Sequence, residues 1–132
     1  MALLTTTIGS YPKPEYVPVP DWFQEKSTVI KDPTEAYEEY LRSGQEEVEE
    51  LLVRATREVV EDQVRAGIDI PTDGEIRREN YIHYHCRHLE GIDFARLTRK
   101  VMRSGAWEVS VPTIVGPIKA KDHFLYRDWQ IA

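Results

Sequence analysis

The sequence has few of the residues that would tie it to a disulfide framework, a membrane or a nucleic acid. A single cysteine excludes an internal disulfide and fits a reducing compartment. The 17 basic residues are outnumbered by 23 acidic ones, and the net charge of −6 disfavours phosphate backbones as partners. The chain also lacks an apolar run that could span a membrane and the basic and apolar regions of a signal peptide. These absences predict a soluble, cytoplasmic protein with neither a membrane nor a nucleic-acid partner.

What is present is typical of one globular domain over residues 1–132, with 41% hydrophobic and 30% charged residues. Residues 3–8 are rich in threonine and predict a strand that ends at Gly9. Prolines alternate with aromatic residues in the segment 11–31, which excludes a regular helix or a central strand. So many aromatic side chains are unusual in a flexible linker, so we expect an ordered, extended loop.

Two helix starts follow this loop. Asp32 is a favourable N-cap residue, and the proline after it suits the first position of a helix. Ser43 begins the S-x-x-E spacing of a capping box. From Ser43 to about residue 66 the spacing of apolar residues predicts a long amphipathic helix that ends at Gly67. Its expected buried face is Val48, Leu52, Ala55 and Val59, and its expected solvated acidic run is Glu46, Glu47, Glu49 and Glu50.

The second half of the chain predicts a further strand at 68–72, helices at 78–89 and 94–103, and a third strand at 111–115. Alternation of strands and helices favours parallel strands joined by right-handed crossovers, and thus an α/β fold. The expected buried stripe of the first of these helices is Ile82, Cys86 and Leu89, and that of the second is Phe94, Leu97 and Val101.

Glycine-containing turns follow the three predicted strands, at Gly9, Gly74 and Gly116. Parallel strands bring such turns to one edge of the sheet, where α/β proteins bind their ligands. Ser10 supplies a hydroxyl beside free backbone N–H groups, and Glu75 supplies a carboxylate. Together they could hold the carboxylate and the ammonium group of an amino acid. Gly-Ser and Asp-Gly are also ordinary turn dipeptides, so structural turns remain an alternative.

Three ordered blocks, TTTIGSYPKP, AGIDIPTDGEIRRENYI and VPTIVGPIK, resemble the C-terminal catalytic barrel of cobalamin-independent methionine synthase. The resemblance implies a (β/α)8 TIM barrel in which zinc activates the homocysteine thiol and methyltetrahydrofolate donates the methyl group, giving methionine. It further implies that Ile8, Gly9 and Ser10 hold the amino-acid carboxylate and that Glu75 accepts the ammonium group.

The sequence departs from the family pattern at two neighbouring positions. Asp73 stands where the main enzymes have histidine, and Tyr11 stands where they have phenylalanine. Both are possible secondary site residues. Because of these departures, the chain could instead belong to a relative that acts on another thiol, such as coenzyme M.

A complete barrel needs about 250 residues, so the chain corresponds to about the first three βα units. The family's zinc ligands come later in the barrel and are not present here, so the resemblance implies a partial domain without metal ligands or catalytic residues of its own. We expect exposed strand edges to favour a homo-oligomer that completes or shields the partial barrel, and no methyltransferase activity from the chain alone. The alternative is a non-catalytic homo-oligomer that binds an amino acid or serves assembly.

A second candidate site is the segment IHYHCRH, which places His83, His85, Cys86 and His88 within six positions. These are zinc-capable side chains, but helical spacing directs the thiol away from the imidazoles. We therefore expect a buried thiol and surface or loop-facing imidazoles, and a metal site at these residues is the less favoured alternative.

Overall fold

The computed structural model describes residues 3–19, 37, 39–40, 42, 44–105 and 107–132. Helix α1 spans Gln45–Arg65, α2 spans Tyr81–Arg87 and α3 spans Phe124–Ile131. Strands β1, Leu89–Met102, and β2, Trp107–Ala120, flank a short 3₁₀ turn at Arg103–Gly105 and form a two-stranded antiparallel sheet. The described part of the chain is therefore α/β, with one hairpin set beside these helices.

Helix α1 forms the centre of the core, because its apolar residues recur on one face. The predicted face of Val48, Leu52, Ala55 and Val59 is buried, which confirms that prediction. The helix begins after Gly44, at φ 113°, without a side-chain cap. The N-cap is thus Gly44 and not Ser43, so the predicted capping box is wrong in this respect. Ser43 itself lies outside the described residues.

The proline-rich segment packs on α1 over the part that is described. Residues 11–19 are neither helix nor strand. Val17 and Val19 are buried in the core cluster, and the rings of Tyr11 and Tyr16 pack against that cluster. Over residues 11–19 the segment is therefore an extended loop that packs on the core. The predicted helix start at Asp32 and the rest of the loop lie outside the described residues.

The first two predicted strands meet in a single parallel bridge between Thr6 and Ile70. The Ile70 N–H donates to the Thr5 carbonyl at 3.0 Å, and the Thr6 hydroxyl donates to the Ile70 carbonyl at 2.7 Å. The parallel direction agrees with the sequence-based expectation, although regular strands do not form here. The turns after residues 8 and 72 lie next to each other, since the Tyr11 N–H donates to the Gly74 carbonyl and Ser10 contacts Glu75.

The helix predicted at 94–103 is wrong, because these residues lie in β1 and in the turn after it. Arg103, Ser104 and Gly105 have φ values of 47°, 56° and 97°, and this left-handed run reverses the chain. The reversal places Met102 opposite Trp107, and antiparallel pairing extends from there. Long-range pairing here overrides the helix propensity of the segment.

The parallel strand predicted at 111–115 is also wrong, because these residues belong to β2 and pair antiparallel to β1. The strand continues through Gly116 and Pro117 to Ala120. Gly91, at φ 80°, makes this possible: a Cβ there would lie 2.4 Å from the Pro117 carbonyl oxygen. The glycine and the shift in register beside it accommodate a proline within the strand.

Helix α2 is shorter than the predicted 78–89. The Asn80 side chain accepts hydrogen bonds from the backbone N–H groups of Ile82 and His83, which sets the start of the helix. Its buried residues are His83 and Tyr84, whereas Ile82 is 53% exposed. The predicted stripe of Ile82, Cys86 and Leu89 is therefore wrong, because the helix packs through its aromatic face.

Candidate functional site

The turn after the second parallel segment is shaped by Gly74. This residue has φ 62°, and a Cβ on it would lie 2.6 Å from Val59 Cγ1 of helix α1. Its carbonyl oxygen accepts the Tyr11 N–H at 2.9 Å. Because only glycine fits this close approach, the turn is held against both α1 and the segment after Ser10.

The two predicted polar residues of the site lie in direct contact. The Ser10 hydroxyl donates to Glu75 Oε2 at 2.9 Å, although the two residues are 65 positions apart. Glu75 is a non-glycine residue with φ 55°, a conformation that costs free energy and often marks functional turns. Its backbone N–H donates to Asp73 Oδ1 at 3.0 Å. The turn thus presents the Glu75 carboxylate beside Ser10.

Four of the predicted residues line a single cleft of about 860 Å³, which we call the main cleft. They are Ile8, Gly9, Ser10 and Glu75. Ile8 is fully exposed, and Gly9 has φ 89° with open space around it. The structure therefore brings these predicted residues together, as their position after two parallel segments implied.

The two secondary residues, Asp73 and Tyr11, lie behind the main cleft and not in its lining. Tyr11 packs on the core and holds the turn through its backbone N–H. Asp73 Oδ2 accepts from Arg78 Nη2 at 2.7 Å. The other terminal nitrogen of Arg78 lies 3.5 Å from Glu75 Oε1. Asp73 and Arg78 thus support the residue that faces the cleft.

One wall of the main cleft is apolar, and sequence reasoning missed it because most of its residues belong to the unpredicted hairpin. A carboxylate and a hydroxyl at one end of an apolar cleft suit a small ligand that has both a charged and an apolar part. The residues of this wall are Ile82, Ile92, Met102, Val111, Pro112 and Ile114.

Gln63 is a further residue that the sequence did not single out. It is completely buried on α1. Its Nε2 donates to the Thr72 carbonyl at 2.8 Å, and its Oε1 accepts the Thr72 N–H at 2.9 Å and the Thr7 hydroxyl at 2.7 Å. One amide therefore joins α1 to both parallel segments that lead into the site. A glutamine among apolar helix positions was the available signal.

The acidic run on α1 is only partly a solvated face. Glu46, Glu47 and Glu50 are exposed, but Glu49 is half-buried and pairs with Arg77 at 2.5 Å and Arg127 at 2.7 Å. Burial raises the pKa of Glu49, but the hydrogen bonds and charges of the two arginines outweigh it, so the net pKa is lowered. This carboxylate joins α1 to the turn before α2, through Arg77, and to α3, through Arg127.

The imidazoles of the His-Cys segment point to different partners. His83 is buried and meets the Phe94 ring edge-on, while His85 Nδ1 bonds the Tyr81 carbonyl. His88 Nδ1 lies 3.1 Å from Asp122, and its ring stacks on Phe124. Burial raises the pKa of the Cys86 thiol, which disfavours the thiolate that a metal needs.

Within the described ranges, no three His, Cys, Asp or Glu side chains are grouped closely enough to hold a metal ion. The main cleft offers the Ser10 hydroxyl and the Glu75 carboxylate, which are already bonded to each other. Glu79, His83 and Cys86 also line the cleft, but they are not grouped closely enough to hold a metal ion. The described residues therefore do not fit the zinc that the family resemblance implies. Among the helices of the described part, none is long and apolar enough to cross a membrane. Fold and cleft together define an α/β protein whose cleft suits a small zwitterionic ligand.

Comparison with known proteins identifies the family. Residues 3–132 match the family described as cobalamin-independent synthase, catalytic domain. A methionine synthase of Sulfolobus acidocaldarius is 33% identical over 130 residues, and one of Saccharolobus solfataricus is 27% identical over 133 residues. The chain belongs to the cobalamin-independent methionine synthase family, in the part that forms its catalytic domain.

A solved structure supports the same assignment. The B12-independent methionine synthase from Shewanella sp. W3-18-1, solved in complex with selenomethionine, is 30% identical with a TM-score of 0.70. The match covers 98% of this chain but 34% of that one. The Sulfolobus relative is likewise covered over 33% of its length, so the chain spans about a third of these relatives.

Proposed function

We propose that this chain supplies an amino-acid-binding half-site of a methionine-synthase catalytic domain, and that its ligand is homocysteine or methionine. The observation that carries the proposal is the contact between Ser10 and Glu75 at the polar end of the main cleft. The Shewanella relative was solved with selenomethionine, an amino acid with the same charged groups, which supports this ligand class.

Each part of the cleft matches one part of such a ligand. The Glu75 carboxylate can accept hydrogen bonds from the ammonium group, and the backbone N–H groups of Gly9 and Ser10 can donate to the ligand carboxylate, while the Ser10 hydroxyl stays bonded to Glu75. The apolar wall, represented by Met102 and Ile114, suits an unbranched thioether side chain. Ile8 completes the rim, because it lines the cleft and is fully exposed.

The methyl transfer itself belongs to the whole domain in this proposal. In the family, zinc activates the thiol and methyltetrahydrofolate supplies the methyl group. The side chains described here do not form a zinc site, so the residues of this chain would bind and orient the amino acid. A relative that acts on another thiol, such as coenzyme M, would not need Glu75, because that thiol has no ammonium group.

A second proposed property is self-association. Leu4 and Ile70, on the two segments joined by the parallel bridge, are 71% and 52% exposed. Apolar side chains on short strand edges favour pairing with another chain. A homo-oligomer that binds the amino acid without catalysis is therefore the alternative function.

Calorimetric titration of the purified chain with L-methionine tests the main proposal. We expect binding by the wild type and a loss of about tenfold or more in affinity for Glu75→Gln, because a charge-assisted hydrogen bond to the ammonium group is lost. Glu61→Gln on the exposed side of α1 is the matched control and should bind like the wild type. Equal binding by Glu75→Gln and the wild type, or no binding by the wild type, would refute the half-site.

A further inference from the structure

We propose that Arg78 is a positioning residue, which aims the Glu75 carboxylate at the ligand's ammonium group through its ion pair with Asp73. This inference rests on the proposed amino-acid site and assigns a role to a residue that would not itself touch the ammonium group. Arg78 is suited to this role because its side chain is only 15% exposed and lies along the edge of the main cleft.

The contacts around Glu75 form a closed arrangement. Arg78 Nη2 donates to Asp73 Oδ2 at 2.7 Å, while Asp73 Oδ1 accepts the Glu75 N–H at 3.0 Å. Arg78 Nη1 lies 3.5 Å from Glu75 Oε1. Asp73 therefore holds the backbone of Glu75 and also fixes the guanidinium beside its carboxylate.

The two oxygens of Glu75 have different neighbours, and this difference leaves room for a ligand. Oε2 accepts the Ser10 hydroxyl at 2.9 Å, whereas the nearest Arg78 nitrogen is 3.5 Å from Oε1. Arg78 is thus strongly bonded to Asp73 and only loosely to Glu75. A carboxylate fixed in this way keeps lone pairs available on Oε1 for an ammonium group.

Backbone strain makes such support necessary. Glu75 has φ 55°, and residues in this region persist only where their surroundings hold them. The guanidinium is held in turn by the Tyr84 ring of α2, whose centroid is 5.9 Å from its central carbon. The arrangement also gives a physical role to Asp73, which binds both the Glu75 N–H and the Arg78 guanidinium.

Arg78→Met tests this role with three ligands: L-methionine, its desamino analogue and its decarboxylated analogue. If Arg78 positions Glu75, the variant should bind methionine and the decarboxylated amine about tenfold more weakly, because both depend on the ammonium contact. The desamino acid should bind as it does to the wild type. If Arg78 instead binds the ligand carboxylate, the desamino acid loses affinity and the positioning role is refuted.

Three further variants make the test specific. Arg78→Lys should restore only part of the affinity, because one ammonium group cannot reach both carboxylates as a guanidinium does. Asp73→Asn keeps an acceptor for the Glu75 N–H but breaks the ion pair, and should reproduce the ligand pattern of Arg78→Met. Arg65→Met, which removes an exposed arginine at the end of α1, is the matched control and should change none of the affinities.

The outcomes separate this inference from the proposed function. In a Glu75→Gln background, Arg78→Met should cost no further affinity, because the residue that it positions is already altered. Wild-type affinities in Arg78→Met, or an equal loss for all three ligands, would refute the positioning role alone. A wild-type chain that does not bind methionine would refute the half-site and this inference together.

Discussion

Gly74 is a residue whose side chain, a single hydrogen, decides the shape of the turn. Gly74→Ala would place a Cβ 2.6 Å from Val59 Cγ1 in a left-handed backbone. We expect it to lower the free energy of unfolding by about 3 kcal/mol, through overpacking added to backbone strain. Gly67→Ala has the same backbone cost at φ 81° but open space around it, and should cost about 1 kcal/mol. Urea denaturation measures both, and equal losses would contradict the close approach.

The buried carboxyl group of Glu79 should make the stability of the folded chain depend on pH. Its side chain is buried beside Arg87, and burial raises its pKa above the ordinary 4.5. Between 4.5 and the raised pKa, the folded state keeps a proton that the unfolded chain has released. This contribution to stability is therefore complete below about pH 4.5 and is lost as the pH rises through the raised pKa.

The variant Glu79→Gln isolates that contribution, because glutamine is uncharged at every pH. We expect the wild type to lose stability relative to the variant as the pH rises from 4.5 toward neutrality. Burial also raises the pKa of Asp128, but this carboxyl is present in both proteins and cancels in the difference. Urea denaturation along a pH series measures the effect. A difference that is constant with pH would rule it out.

Ser10 and Glu75 could be predicted from the sequence because each follows a β-rich segment that ends at a glycine-containing turn. Their hydrogen bond agrees with that prediction, while their role in binding a ligand stays a proposal. Arg78 could not be assigned in the same way. Its position depends on a turn with consecutive positive φ values at Gly74 and Glu75, and only the first is a glycine.

At the scale of elements, Gln63 joins helix α1 to the two parallel segments. Gln63→Ala would remove the partners of both the Thr72 N–H and the Thr72 carbonyl. We expect a loss of about 2–4 kcal/mol in unfolding free energy, because backbone groups are left unsatisfied beside the core. Gln130→Ala on α3, whose amide reaches the exposed Tyr126 hydroxyl, should cost about 0.5 kcal/mol or less. Denaturant titration compares them, and similar small losses would show that the Gln63 amide does not support the site.

Helix α1 and the hairpin show why some elements were predictable and others were not. The sequence signals for α1 are consistent with one another, because helix-forming residues, a 3.6-residue apolar period and a terminal glycine all predict a helix. In β1 the residues Phe94, Leu97 and Val101 have the spacing of a helix. The segment is nevertheless a strand, because it pairs with β2. Ser104-Gly105 between two apolar runs was the local sign of a hairpin.

For the whole molecule, the main cleft is shared by three parts of the chain that are distant in sequence. Its polar end comes from residues 8–10 and from the turn at Glu75, and its apolar wall comes largely from the hairpin. The first two meet through a parallel bridge that the α/β pattern predicted. The hairpin was predicted wrongly, because the local sequence of a strand does not determine its pairing partner. The polar end of the site was therefore more predictable than its wall.

The exposed edge of the parallel bridge predicts how whole chains associate. Leu4 and Ile70 are large apolar residues that remain 71% and 52% exposed, so we expect the purified chain to form oligomers through this edge. The double variant Leu4→Lys and Ile70→Lys should be monomeric, because paired like charges oppose strand docking. Val64→Lys, which replaces an exposed valine on α1, should remain oligomeric. Native mass spectrometry measures the subunit number, and a monomeric wild type, or a double variant that still associates, would show that this edge does not join the chains.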